Sequence, residues 1–172
     1  MLKRWLLMVV ILIGAGSVIW FGLPEARAPV QVADSALPFS LPDLAGKKQT
    51  FPPEGSVVLL NFWATWCPPC RKEMPSMAAL YQILKGKGLK VVAVSVDRDA
   101  AVLAGFVREY SLPFQVLHDQ KSEVSRLYGV FRYPETFLID KKGIIRNHWV
   151  GAIEWTAPAV RMEIEKMLGE SG

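Results

Sequence analysis

Cysteine is the scarcest informative residue in this chain of 172: it occurs twice, at Cys67 and Cys70. That excludes a fold held by a disulfide framework, because such scaffolds staple several distant pairs. Histidine is equally scarce, and His118 and His148 fall near different strands with no ligand-like spacing to the cysteines. A closed zinc site would need all four of these residues together, and their spacing does not bring them together, so no metal and no cofactor is expected, and each histidine reads as an exposed strand residue. The chain has no Gly-x-Ser-x-Gly elbow, no glycine loop for phosphate and no internal repeat. Its net charge is only +4, from 20 basic and 16 acidic residues scattered along the chain, which gives no basic patch for nucleic acid. The length leaves room for one folded domain and a short appendage, so a two-domain enzyme is excluded.

One long apolar run is present. Residues 5–23 carry no charged side chain, and a helix of about 20 such residues crosses a hydrocarbon core. Lys3 and Arg4 precede it, and basic residues stay on the cytoplasmic side. The run therefore reads as an anchor that leaves everything after Leu23 outside the cytoplasm. The competing reading is a cleaved signal peptide, with Ala26-Arg27-Ala28 as the small-x-small site. Both deliver the same domain to an extracytoplasmic compartment. The expected division is an anchor or signal at 1–23, a Pro- and Ala-rich linker at 24–36 and one domain at 37–172.

Within that domain, strand and helix signals alternate, as in an α/β layered fold. Residues 39–51 read as a short hairpin. Residues 57–64 (VVLLNFWA) are an apolar run of strand length, expected of a central strand buried on both faces. Met74, Met77, Tyr81 and Leu84 recur at helical intervals, and Gly86 and Gly88 end that helix. Residues 89–96 are a second buried strand, and Asp97 or Asp99 caps a following helix with Val102, Leu103, Phe106, Val107 and Tyr110 on its inner face. A third strand at 114–117, a short helix at 122–128, a hairpin at 135–150 with Lys141-Lys142-Gly143 at its turn, and a helix from Thr156 complete the order.

The cysteine pair, Cys67-Pro68-Pro69-Cys70, lies where the buried strand gives way to the helix. Unpaired N–H groups and the dipole at a helix N-terminus favour negative charge, so the first thiol should ionise more readily than a free one. One helical turn brings the second sulfur within reach, so the pair can alternate between dithiol and disulfide. A static structural disulfide is the plainer alternative.

Residues 61–71 (NFWATWCPPCR), with Pro75 beyond, resemble the active site of the thioredoxin superfamily. Residues 133–140 (YPETFLID) resemble its cis-proline loop and following strand. The leading hairpin, the apolar N-terminus, a helix and strand inserted between the motifs, and Glu73 resemble the TlpA/ResA/CcmG branch of membrane-tethered thiol-disulfide oxidoreductases. The resemblance implies a thioredoxin-like fold, a central mixed sheet flanked by helices. It makes Cys67 the exposed nucleophile and Cys70 the shielded resolving thiol. Pro134 would be cis, with Trp66, Pro68, Tyr133 and Glu135 lining the substrate cleft; for Glu135 an exposed strand position is the alternative. Asn61 stands where soluble thioredoxins carry a buried aspartate, and Glu73 is the expected replacement as proton acceptor for Cys70; the plainer reading is an acid complementing the helix N-terminus. Trp63 reads as core.

In that branch the task is usually reductive, which implies as partners a protein disulfide, in apocytochrome c or a copper-site protein, and a thiol electron donor in the membrane. Two other functions use the same cysteines: a thiol peroxidase, which needs a threonine- and arginine-lined pocket, and a copper-handling module, since thiolates suit Cu(I).

Overall fold

The computed structural model describes residues 3–5, 29–53 and 55–170. The anchor or signal expected over 5–23 lies, beyond Trp5, outside the described residues; among those described, no helix is long and apolar enough to cross a membrane.

The chain runs β1 (Phe39–Pro42), β2 (Lys48–Phe51), β3 (Val57–Trp63), α1 (Pro68–Leu84), a 3-10 turn (Lys85–Lys87), β4 (Leu89–Ser95), α2 (Ala100–Glu109), β5 (Gln115–His118), α3 (Glu123–Leu127), β6 (Glu135–Ile139), β7 (Ile145–Val150) and α4 (Pro158–Gly169). β1 and β2 form the expected hairpin. The other five strands make one sheet in the order β5-β4-β3-β6-β7. β3 pairs in parallel with β4 and β4 with β5, whereas β3–β6 and β6–β7 are antiparallel. This is the mixed thioredoxin-like sheet, with α2 and β5 as the inserted helix and strand.

β3 is buried along its whole length, and its alternating side chains feed two cores. Val57, Leu59 and Trp63 pack with Met74, Met77, Leu80 and Leu84 of α1, with Leu103 and Phe106 of α2 and with Ile164 of α4. Val58, Leu60 and Phe62 face the other way, against Phe39, Leu41 and Phe51 of the hairpin and Val124 and Tyr128 at α3. Helices therefore cover one face, and the hairpin with the short α3 covers the other.

Several local readings change: Val102, expected on the inner face of α2, is exposed, and only Leu103 and Phe106 of that helix are fully buried. Asp99 caps α2 by accepting from Ala101 N at 2.7 Å, which releases Asp97 for another task. α1 stops at Leu84, and the chain turns at Gly88 with φ +99°, a left-handed conformation that suits glycine. α4 begins at Pro158 rather than Thr156 and carries no side-chain cap.

The described part of the segment expected as linker, residues 29–36, packs on the domain. Ala33 N and Ala36 N donate to Ile145 O and Gly143 O, each at 2.8 Å, and Ile145 N returns a bond to Asp34 O. Residues 29–36 thus run beside the β6–β7 turn, with Val30 and Ala36 buried. Pro29 sits directly on Gly129, where a Cβ would lie 2.5 Å from the proline ring, and Gly129 has φ +73°.

Candidate active site

α1 begins immediately after the turn that closes β3, with Cys67 N donating to Ala64 O. Cys67 is the N-cap of α1, and its sulfur accepts from Cys70 N at 3.3 Å. Pro68 occupies the first helical position, where a missing N–H costs nothing and the fixed φ suits the helix. The two cysteines are joined in a disulfide, with Cα atoms 5.3 Å apart. Cys70 is wholly buried. Cys67, expected to be exposed, is only 4% accessible, because its sulfur is tucked into the capping position with the Tyr133 carbonyl oxygen 3.5 Å away.

The Tyr133–Pro134 bond is cis, and its loop meets the disulfide through the Tyr133 carbonyl. Trp66, 64% exposed, stands edge-on to Tyr133 with ring centroids 6.0 Å apart. The two rings wall a cleft of about 510 Å³ that also takes in Thr65, Asp97, Val102 and Ser122. Pro68 is exposed at the helix start.

The turn before Cys67 is held by a network that sequence reasoning missed. Asp97, buried, accepts from Thr65 N at 2.9 Å, Thr65 Oγ1 at 2.6 Å and Ser95 Oγ at 2.7 Å. On the far side of Thr65, Arg71 Nη1 donates to the Thr65 carbonyl at 3.3 Å, while its guanidinium lies over Phe106 and Tyr110. Every polar group of Thr65 is thereby engaged. His118 also joins, its Nε2 being 2.6 Å from Asp97 O.

Glu73 lies one turn beyond Cys70 on the buried face of α1, a spacing that sets two side chains side by side. Its Oε1 accepts from Asn61 Nδ2 at 2.9 Å, and its Oε2 accepts from Ile153 N at 3.0 Å and Trp155 Nε1 at 3.3 Å. Burial pushes the carboxyl up to about 7, against the pull of these donors. Asn61 reaches it because β3 alternation aims residue 61 at α1, and Asn61 Nδ2 also donates to Thr136 Oγ1, its register partner on β6, at 2.8 Å. An acid that merely complemented the helix N-terminus would face solvent; Glu73 is 2% accessible. The Trp155 and Ile153 contacts span about 80 residues of sequence and left no local signal.

Glu135 is neither exposed nor in the cleft. It is turned to the other face of the sheet, buried, with Oε2 at 2.8 Å from His148 Nε2 and Oε1 accepting from Arg132 N. β6 puts Glu135 and Thr136 on opposite faces, so the strand cannot present both at the disulfide. His148 in turn is half-buried and stacked on Phe137 at 4.1 Å. Neither histidine is the exposed strand residue expected.

The profile of the AhpC/TSA family matches residues 32–148. The chain belongs to the AhpC/TSA family. Within this family it is similar to thiol-disulfide oxidoreductase ResA of Bacillus thuringiensis subsp. konkukian, 36% identical over 144 residues covering 83% of each chain. It is also similar to thioredoxin-like protein YneN of Bacillus subtilis, 38% identical over 160 residues, 89% of this chain and 93% of the relative. Among solved structures, one from Chlorobium tepidum assigned to thiol:disulfide interchange protein DsbE has TM-score 0.76 at 36% identity, covering 81% of this chain and 99% of that one. StoA from Bacillus subtilis has TM-score 0.63 at 28% identity, over 76% and 97% of the two chains. This AhpC/TSA member is a thiol-disulfide oxidoreductase with its redox disulfide at Cys67 and Cys70.

Proposed function

We propose that the protein is a membrane-tethered reductase of extracytoplasmic protein disulfides, working from its Cys67-Cys70 dithiol. The observation that carries this reading is the buried carboxyl of Glu73, on the same face of α1 as Cys70 and near neutrality in its proton affinity. In the dithiol, Cys67 thiolate attacks a substrate disulfide, forming a mixed disulfide and releasing one substrate thiolate, which takes a proton from water. Glu73 then accepts the proton of Cys70. The Cys70 thiolate attacks Cys67, the disulfide closes, and the second substrate sulfur leaves; two electrons pass to the substrate. A resolving thiol without a buried base would ionise poorly in its apolar setting, so the carboxyl supports turnover of the Cys67-Cys70 couple at neutral pH.

Trp66, Tyr133 and the cleft beside them receive the substrate chain around its cysteine. Apocytochrome c or a copper-site protein is the substrate class, and a membrane thiol carrier restores the dithiol. Pro68-Pro69 places no donor or charge between the sulfurs, so the thiolate is held by backbone and helix dipole alone, and the couple is expected near about −270 mV rather than near the strong oxidant's value of about −120 mV. Peroxidase chemistry has less support: the Thr65 hydroxyl is committed to Asp97, and Arg71 to Thr65 and the aromatic pair.

The test is an equilibrium titration of the purified protein in thiol-disulfide buffers, read by tryptophan fluorescence, since Trp66 adjoins the disulfide. A midpoint below about −220 mV supports the reductase. One above about −180 mV reverses the direction of electron flow and overturns it.

A further inference from the structure

Asn61 is wholly buried in the middle of β3, and the two ends of its carboxamide are treated unequally. Nδ2 donates to both Glu73 Oε1 and Thr136 Oγ1, whereas Oδ1 has no hydrogen-bond partner among the described residues. Buried acceptors are nearly always paired, so a lone one beside a proton-accepting group calls for a physical account.

The carboxyl of Glu73 is unequal as well. Its Oε2 is held by Ile153 N–H and the Trp155 indole N–H, donors that cannot become acceptors. A proton arriving on Glu73 therefore rests on Oε1, where it meets the N–H of Asn61, donor against donor. Half a turn of the amide about its last bond brings Oδ1 to that place. Oδ1 then accepts from Glu73 Oε1–H and from the Thr136 hydroxyl, which can donate as readily as it accepts. The turned Nδ2 takes the position Oδ1 left, so one unpaired atom replaces another; what disappears is the opposition at Oε1.

We propose that Asn61 is a positioning residue whose carboxamide turns over as Glu73 gains and loses its proton. Nitrogen faces the carboxylate and oxygen faces the acid, and Oε1 keeps its aim through both halves of the redox cycle. The proposal deepens the reading of Glu73 as the proton acceptor of Cys70 and rests on it. The groups facing the carboxyl from the elements packed on α1 are Asn61 of β3, Thr136 of β6 by way of Asn61, and Ile153 and Trp155 before α4, all uncharged. On α1 itself Cys70 is locked in the disulfide and Ser76 donates to the Glu73 main chain. In the oxidised protein, the proton equilibrium of this pocket is therefore that of Glu73.

The experiment is NMR of the oxidised, solubilised full chain between pH 5 and 9, following the side-chain amide of Asn61 by ¹H–¹⁵N correlation and the carboxyl of Glu73 by ¹³C shift. Expected are a single shared midpoint, a cross-relaxation peak between the Asn61 amide protons and Thr136 above it, and loss of that peak below it. Glu73→Gln, whose own amide nitrogen donates to Asn61 Oδ1, holds the low-pH pattern throughout. A carboxyl that titrates while the Thr136 peak persists at every pH overturns the amide turnover and leaves the proton-acceptor role intact. A carboxyl with no midpoint between pH 5 and 9 overturns both. Single-turnover kinetics of Asn61→Leu give a second reading: loss of the donor should move the pH midpoint of the Cys70 step upward by about one unit. An unmoved midpoint with an unmoved folding stability also counts against the positioning role.

Discussion

Glu73 carries its own penalty. Its carboxyl is raised from 4.5 to about 7 in the folded protein, so folding takes up a proton across that interval. The stability associated with the neutral acid is complete below about pH 4.5 and is lost as pH rises through about 7. Glu73→Gln, which stays neutral and keeps an oxygen for Ile153 N and Trp155 Nε1, is therefore expected to be more stable than the native protein at pH 8, by up to about 3 kcal/mol, and about equal to it at pH 4.5. Urea unfolding of the oxidised forms at the two pH values checks this; a difference independent of pH would mean that burial does not raise the carboxyl. The same substitution should slow substrate disulfide reduction about 100-fold at pH 7, the usual scale for loss of a general base. Stability and activity thus move in opposite directions at one residue.

At the scale of elements, the junction of β3 with α1 is where strand geometry becomes sulfur geometry. Asp97 lies two residues beyond the end of the parallel neighbour β4, and Thr65 two beyond the end of β3. The carboxylate therefore ties two adjacent strand ends together and fixes the turn that delivers Cys67 to the helix cap. Thr65→Val removes one donor from a buried carboxylate and should cost about 1–2 kcal/mol, while Thr65→Ser should recover most of it. Thermal or urea unfolding of the pair reads the difference. The valine variant should also react more slowly at Cys67, measured by alkylation of the reduced protein, because the backbone before the cap is freed on one side. The strand and helix run were legible from apolar periodicity alone. The Asp97 tie was not, because residues 65 and 97 are 32 apart in sequence and nothing local distinguishes Asp97 from the adjacent capping Asp99.

For the whole molecule, the two cores on either side of the sheet explain why the N-terminal hairpin is part of the domain: without Phe39, Leu41 and Phe51, the face of β3 that holds Leu60 and Phe62 would lie open beside α3. Residues 29–36 continue that cover; if the proposed anchor over 5–23 is retained, the domain is expected to sit close to the membrane surface. With an intact anchor, the protein should stay in the membrane pellet through an alkaline wash of bacterial membranes. After reduction, its Cys67 should react with an impermeant maleimide from the outer side. Recovery in the soluble fraction with an N-terminus following Ala28 would select the cleaved signal; failure of the maleimide to reach Cys67 in intact spheroplasts would place the domain inside.

The sequence by itself determined the element order, the strand buried on both faces, the redox pair at a helix start and the presence of a carboxyl one turn beyond it. Each of these is written in local periodicity or in spacing along one helix, where neighbours in sequence are neighbours in space. Only the tertiary structure decided where each acid points. Glu73 and Glu135 both stood beside a motif, but strand alternation sends Glu135 through the sheet to His148, while Asn61, Ile153 and Trp155 converge on Glu73 from β3 and from the approach to α4. That convergence depends on the register of β3 against β6 and on where the chain returns before α4. Both are properties of packing between segments far apart in sequence, which no single stretch of residues encodes.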